Sequence, residues 1–263
     1  MGQDRIAMIG IFDSGVGGLT VVKELRQRLP HASFIYLGDN ARTPYGNRSQ
    51  EIIRQYSAED VDFLISKGAT AIVVACNTAS ALAGDYLKEK YDLPIFEVIT
   101  PAAEAAAKGS AGRVGVIGTR GTIGSGAYEK AIKNFKQSAE VFSQACPLLV
   151  PLAEENWFSR AETKMIIRSY LQPLKVKSID TLILGCTHYP LLKKNIQAKI
   201  GNRIKLVDPA EEVINKLVEY LASQPNGTSE QIMEFYATDP AARFKEIGEG
   251  WLKEKITLKK AGF

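Results

Sequence analysis

Two stretches of this 263-residue chain repeat one local pattern, and that echo limits the folds open to it more than any other feature. AIVVACNTAS (71–80) and TLILGCTHYP (181–190) each run from an apolar, β-branched segment through a small residue to a cysteine, then to hydrogen-bonding residues. A second pair, IGIFDS (9–14) and VGVIGT (114–119), aligns Gly10 with Gly115 and Ser14 with Thr119. The interval from Cys76 to Cys186 nearly equals that from Gly10 to Gly115, so the halves read as a duplication. Length alone leaves one large domain or two smaller ones open. The echo predicts two pseudo-symmetric α/β domains, residues 1–98 plus 208–263 and residues 99–207, with the last helices returning to pack on the first.

Short apolar runs alternate with longer amphipathic segments, the pattern of parallel strands joined by crossover helices. The predicted class is α/β, each domain a mainly parallel sheet flanked by helices. Candidate strands are 7–12, 34–38, 71–75, 95–98, 113–117, 140–143, 181–184 and 205–207. Leu19, Val22, Leu25 and Leu29 recur at helical spacing and the segment stops at Pro30. Ligands of open α/β sheets sit beyond the carboxyl ends of strands, which places both cysteine turns at a cleft between the domains.

A hydrophobic share of 45% and a charged share of 24% are those of an ordinary folded domain. The formal charge of +4 is dispersed among acids, so no nucleic-acid surface is expected, and the basic run 253–260 reads as a solvated helix or strand end. The N-terminus carries Asp4 and Arg5 before a short apolar run, unlike a signal peptide, and no stretch approaches the ~20 apolar residues of a membrane span. Three widely spaced cysteines argue against disulfides and for a reducing compartment. A cytoplasmic location is therefore expected.

Cys76-Asn77-Thr78 and Cys186-Thr187-His188 each place a thiol at a strand-to-helix turn, where free amides and the helix dipole favour the thiolate. Cys146, in QACPLL, has no polar neighbour and reads as core. DSGVGG (13–18) follows the first strand with Asp13, Ser14 and glycines that let backbone amides approach an anion, but it lacks the dinucleotide and Walker spacings. GDNARTPYG (38–46) supplies Asp39, Tyr45, Gly46 and a stiffening Pro44, and is equally explained as a turn. His31 reads as solvent-facing, whereas His188 lies two residues from a cysteine, within reach to assist its proton transfers. No metal site is expected, since no paired cysteine motif accompanies His188.

IGIFDSGVGGLTV, YLGDNARTPYG, ACNTAS, VGVIGTRGTI, PLAEE and LILGCTHYPLL together make the chain resemble the glutamate racemases of the aspartate/glutamate racemase family along nearly its whole length. The resemblance implies an active site between two domains, no cofactor, conversion between L- and D-glutamate for peptidoglycan, and a homodimer. It makes Cys76 and Cys186 the catalytic thiols. It assigns substrate contacts to Asp13, Ser14, Pro44, Tyr45, Gly46, Asn77, Thr78, Thr119, Thr187 and His188. It associates the acids Asp39 and Glu155 with catalysis, with Asp13 serving Cys76 and His188, together with Glu155, serving Cys186. Asn156 stands where the resemblance calls for glycine. The rival readings are a racemase acting on aspartate and a cleft that binds a carboxylate or nucleotide without chemistry.

Overall fold

The computed structural model describes residues 7–224 and 231–262, so the first six residues, on which the reading of the N-terminus partly rests, lie outside it. The first half runs β1 (Met8–Asp13), α1 (Leu19–Arg28), β2 (Ser33–Gly38), α2 (Gln50–Ser66), β3 (Ala71–Val74), α3 (Asn77–Lys90), β4 (Ile95–Glu97). The second runs α4 (Ile99–Gly109), β5 (Arg113–Gly118), α5 (Arg120–Gly124), α6 (Ala127–Phe135), β6 (Glu140–Ala145), α7 (Leu149–Glu154), α8 (Ala161–Val176), β7 (Thr181–Gly185), α9 (Lys193–Ile200), β8 (Lys205–Val207). The tail adds α10 (Pro209–Ala222), β9 (Met233–Ala237), α11 (Ala242–Leu252) and β10 (Leu258–Lys260).

The strands form two sheets, β10-β9-β2-β1-β3-β4 and β6-β5-β7-β8, with every pairing parallel. Without its two tail strands the first sheet has the order of the second, which gives the echo a structural meaning. Helices cover both faces, so β2, β3 and β7 are buried at every position and read as unbroken apolar runs. The repeated glycines have one cause. A Cβ on Gly10 would lie 2.8 Å from Ile72 Cδ1 and 2.9 Å from Ala69 Cβ, and one on Gly115 would lie 2.5 Å from Ile179 Cδ1. In each half the chain entering the third strand presses on the first too closely for a side chain.

The tail differs from expectation in containing two strands as well as helices. Phe235, Tyr236 and Ala237 of β9 are buried beside β2, while β10 is a short edge whose Lys259 ammonium bonds Glu234 at 2.6 Å. A three-residue edge strand bearing lysines presents little to a further strand and little apolar pattern to a reader of the sequence. Ala210, Val213, Ile214 and Leu217 of α10 and Phe244, Ile247 and Trp251 of α11 complete the core around α1 and β1.

Candidate active site between the two sheets

In both sheets the winding reverses beside the first strand, between β1 and β3 and between β5 and β7, and the diverging strand ends leave a crevice there. Each reversal point carries the residues singled out by the motifs. Asp13 ends β1, Cys76 caps α3, Thr119 caps α5 and Cys186 follows β7. The turns enclose a cavity of about 240 Å³ lined by Ser14, Pro44, Tyr45, Gly46, Cys76, Asn77, Thr78, Thr119, Cys186, Thr187 and His188. Arg243, Phe244 and Ile247 from α11 also line it, a contribution that no motif announced.

Cys76 Sγ accepts the Ala79 amide at 3.4 Å and lies 3.5 Å from Ser14 Oγ. The helix terminus does meet the sulfur, yet burial, reinforced by the charge of Asp13, pushes the thiol up to about 12. Desolvation therefore overrides the dipole at this turn, contrary to the expectation of an acidified thiol. Cys186 Sγ lies 3.7 Å from His188 Nδ1, and His188 Nε2 lies 2.9 Å from Glu154 Oε1. Burial alone would lower the His188 imidazolium, but hydrogen bonds to Cys186 and Glu154 outweigh it and raise the group to about 10. The ring is also met edge-on by Trp251, with centroids 5.7 Å apart.

The acid beside His188 is thus Glu154, not Glu155. Glu155 caps the end of α7 and points elsewhere, its side chain 59% exposed and ion-paired with Arg243 at 3.3 Å. Neighbouring helical residues do not share a face, so only one glutamate of PLAEE can reach the ring. Asn156 has φ of 54°, the left-handed region, which explains why glycine suits the position and why asparagine is tolerated. Its side-chain oxygen accepts the Trp251 indole N–H at 3.3 Å.

Asp13 and Asp39 are fully buried and neither lines the cavity. Asp13 accepts the Gly15 amide at 3.1 Å and, across the crevice, the Thr187 hydroxyl at 3.3 Å, with no hydrogen bond to Cys76. Burial pushes its carboxyl up to about 6 against the opposing charge of His188. Asp39 sits behind the Tyr45 loop, bonded to Arg42 Nε at 2.6 Å and to the Tyr45 phenol, while Asp60 of α2 meets Arg42 Nη2 and the same phenol, each at 3.0 Å. The two carboxylates share the phenolic proton and the Arg42 guanidinium as donors. Burial and the charge of Asp39 push Asp60 well above the usual carboxylate range, against the opposing charge of Arg42. Asp60 and Arg42 thus fix the loop that presents Tyr45, a role no sequence pattern signalled.

Further links cross between the halves. Thr78 Oγ1 lies 2.9 Å from Thr119 Oγ1 and 3.1 Å from Thr122 Oγ1, and Thr20 Oγ1 donates to the Thr187 carbonyl at 3.0 Å. A Cβ on Gly17 would lie 2.6 Å from His188 Nδ1, so this glycine of DSGVGG is what lets the first loop touch the second. Cys146 and His31 fall where expected, buried and exposed respectively. Among the described residues no cluster of three or more His, Cys, Asp or Glu is arranged to hold a metal ion, and no helix is long and apolar enough to cross a membrane.

Comparison with known proteins bears on this arrangement. A glutamate racemase of Geobacter metallireducens is 48% identical over 94% of this chain and 93% of its own length. Among solved structures, a glutamate racemase isoform of Bacillus anthracis superposes with a TM-score of 0.93 at 40% identity, covering 98% of both chains. A Francisella tularensis glutamate racemase in complex with D-glutamate gives 0.91 at 37% identity, again over 98% of both. The family model described as Asp/Glu/Hydantoin racemase matches residues 19–217, and with that match the chain belongs to this racemase family of isomerases.

Proposed function

We propose that the chain interconverts L- and D-glutamate without a cofactor, by proton transfer at Cα between Cys76 and Cys186. The observation that carries the reading is that two thiols on equivalent turns of duplicated sheets line one small cavity, each with its own polar support. Inversion requires a base on one face of Cα and an acid on the other. A thiolate removes the Cα proton, the electron pair passes into the α-carboxylate, and the opposite thiol delivers its proton to the other face. The two sulfurs end with exchanged protonation, ready for the reverse isomer. Charged His188, held by Glu154, stabilises negative charge on Cys186, while buried Cys76 keeps its proton as the acid. Donors from Ser14, Asn77, Thr78 and Thr187, all lining the cavity, bind the carboxylate, and preorganised hydrogen bonds of this kind stabilise the carbanion more than in bulk solvent.

The family's role implies supply of D-glutamate to peptidoglycan from the cytoplasm, by a homodimer whose subunits divide at 98/99 and 207/208. Circular dichroism of L-glutamate with no added cofactor tests the reaction: the signal decays to zero. Cys76→Ala and Cys186→Ala, each checked for folding, lose racemisation. Wild-type turnover in either variant overturns the two-thiol mechanism, and equal or better turnover of aspartate overturns the substrate.

A further inference from the structure

Tyr128, outside the cavity, touches both cysteine-bearing turns at once. It lies in the first turn of α6, is 2% exposed, and packs in the core of the second sheet. Its hydroxyl donates to Asn77 Oδ1 at 2.6 Å, on the residue that follows Cys76. Its ring lies against Gly185, the residue that precedes Cys186: a Cβ there would stand 3.1 Å from Tyr128 Cε2. One rigid side chain therefore spans from the turn of one thiol to the turn of the other.

The hydrogen bond also decides how the Asn77 amide faces. Burial holds the Tyr128 phenol in its protonated form, and Asn77 Oδ1 is its hydrogen-bond acceptor among the described residues. Were the amide turned over, its nitrogen would donate to the phenol oxygen and the phenolic proton would be left buried without an acceptor, a costly loss. Asn77 lines the cavity, and with Oδ1 tied to Tyr128 its NH₂ group is the part left for a ligand. An NH₂ group can donate to a carboxylate oxygen, whereas an amide oxygen would repel it.

We infer that Tyr128 is a positioning residue for racemisation, spacing the two cysteine turns and locking Asn77 with its NH₂ toward the substrate carboxylate. This rests on the reaction proposed above. A double-mutant cycle of Tyr128→Phe and Asn77→Ala tests it, with kcat/KM read by circular dichroism and folding by thermal melts. Phenylalanine keeps the spacer and removes the hydroxyl. It lowers kcat/KM roughly tenfold in the native background and has little effect once Asn77 is alanine. An equal loss in both backgrounds, or no loss in the native one, overturns the inference. Should Asn77→Ala abolish turnover, glutamate binding by calorimetry in the same four proteins supplies the cycle, with the same two outcomes. Wild-type turnover separates the two claims: its absence removes the reaction and this role together, whereas turnover with an additive cycle removes the role of Tyr128 alone.

Discussion

Replacing Gly17 with alanine adds one methyl group at the tightest contact between the first loop and the His188 turn. The new Cβ would lie 2.6 Å from both Nδ1 and Cε1 of His188, and closer still to Thr187 Oγ1. An unstrained contact is near 3.5 Å, so the imidazole must retreat by ~1 Å. It has nowhere to go without loss, because Glu154 holds its far nitrogen at 2.9 Å and Trp251 closes on the ring. The 3.7 Å contact with Cys186 Sγ then lengthens or the loop carrying Ser14 moves out. Overpacking of this kind costs about 1–3 kcal/mol, a drop of several degrees in Tm for a chain of this size. The catalytic loss is larger, since a misplacement of ~1 Å at a reacting group costs ~100-fold in rate. Circular dichroism of glutamate turnover alongside scanning calorimetry therefore reads a folded protein, modestly destabilised, with kcat reduced about 100-fold. A folded Gly17→Ala protein with native kcat refutes the claim that this contact sets the position of His188.

Two further outcomes follow from buried charge. His188 is raised from 6.5 to about 10, so its protonated form adds stability that is fully present below pH 6.5 and is lost as pH rises through about 10. Melting curves of native protein and His188→Asn from pH 6 to 10.5 should converge toward the alkaline end, and parallel curves contradict the assignment. Burial favours the protonated form of Asp60, so Asp60→Asn, which keeps a donor and an acceptor, should melt close to the native value. Asp60→Ala removes its hydrogen bonds with Arg42 Nη2 and the Tyr45 phenol and should cost about 1–3 kcal/mol with a raised KM for glutamate. Equal melting of the two variants argues against a neutral Asp60.

The parts of this molecule written twice in the sequence were the parts most legible. Buried parallel strands spell themselves as apolar runs, and the turns after them must carry the polar residues that face a crevice, so the cavity-lining Cys76, Cys186 and Ser14 stood out from pattern, whereas Thr119 was assigned to the site only by resemblance. Orientation was not legible. PLAEE offers two adjacent acids, and only the helix phase, with Glu155 turned to Arg243, selects Glu154. The cost of burial is equally invisible to a linear reading, which is why a helix N-terminus suggested an acidified Cys76 where the enclosed site raises it. Tail residues such as Phe244 gave no signal because their neighbours in the cavity are distant in sequence.

Several of the polar links that build the site run between its halves: Asp13 to Thr187, Thr20 to the Thr187 carbonyl, Thr78 to Thr119, Asn77 to Tyr128, and Arg243 of the tail to the Glu154 carbonyl at 3.1 Å. Each is individually modest, of order 1 kcal/mol, and each needs both halves in register. Parting the halves to admit substrate would break these links together and move the two thiols apart in the same motion. On the proposed two-thiol mechanism, closure and assembly of the acid–base pair would then be one event, with a sulfur placed to take the Cα proton only when the opposite sulfur is placed to return one.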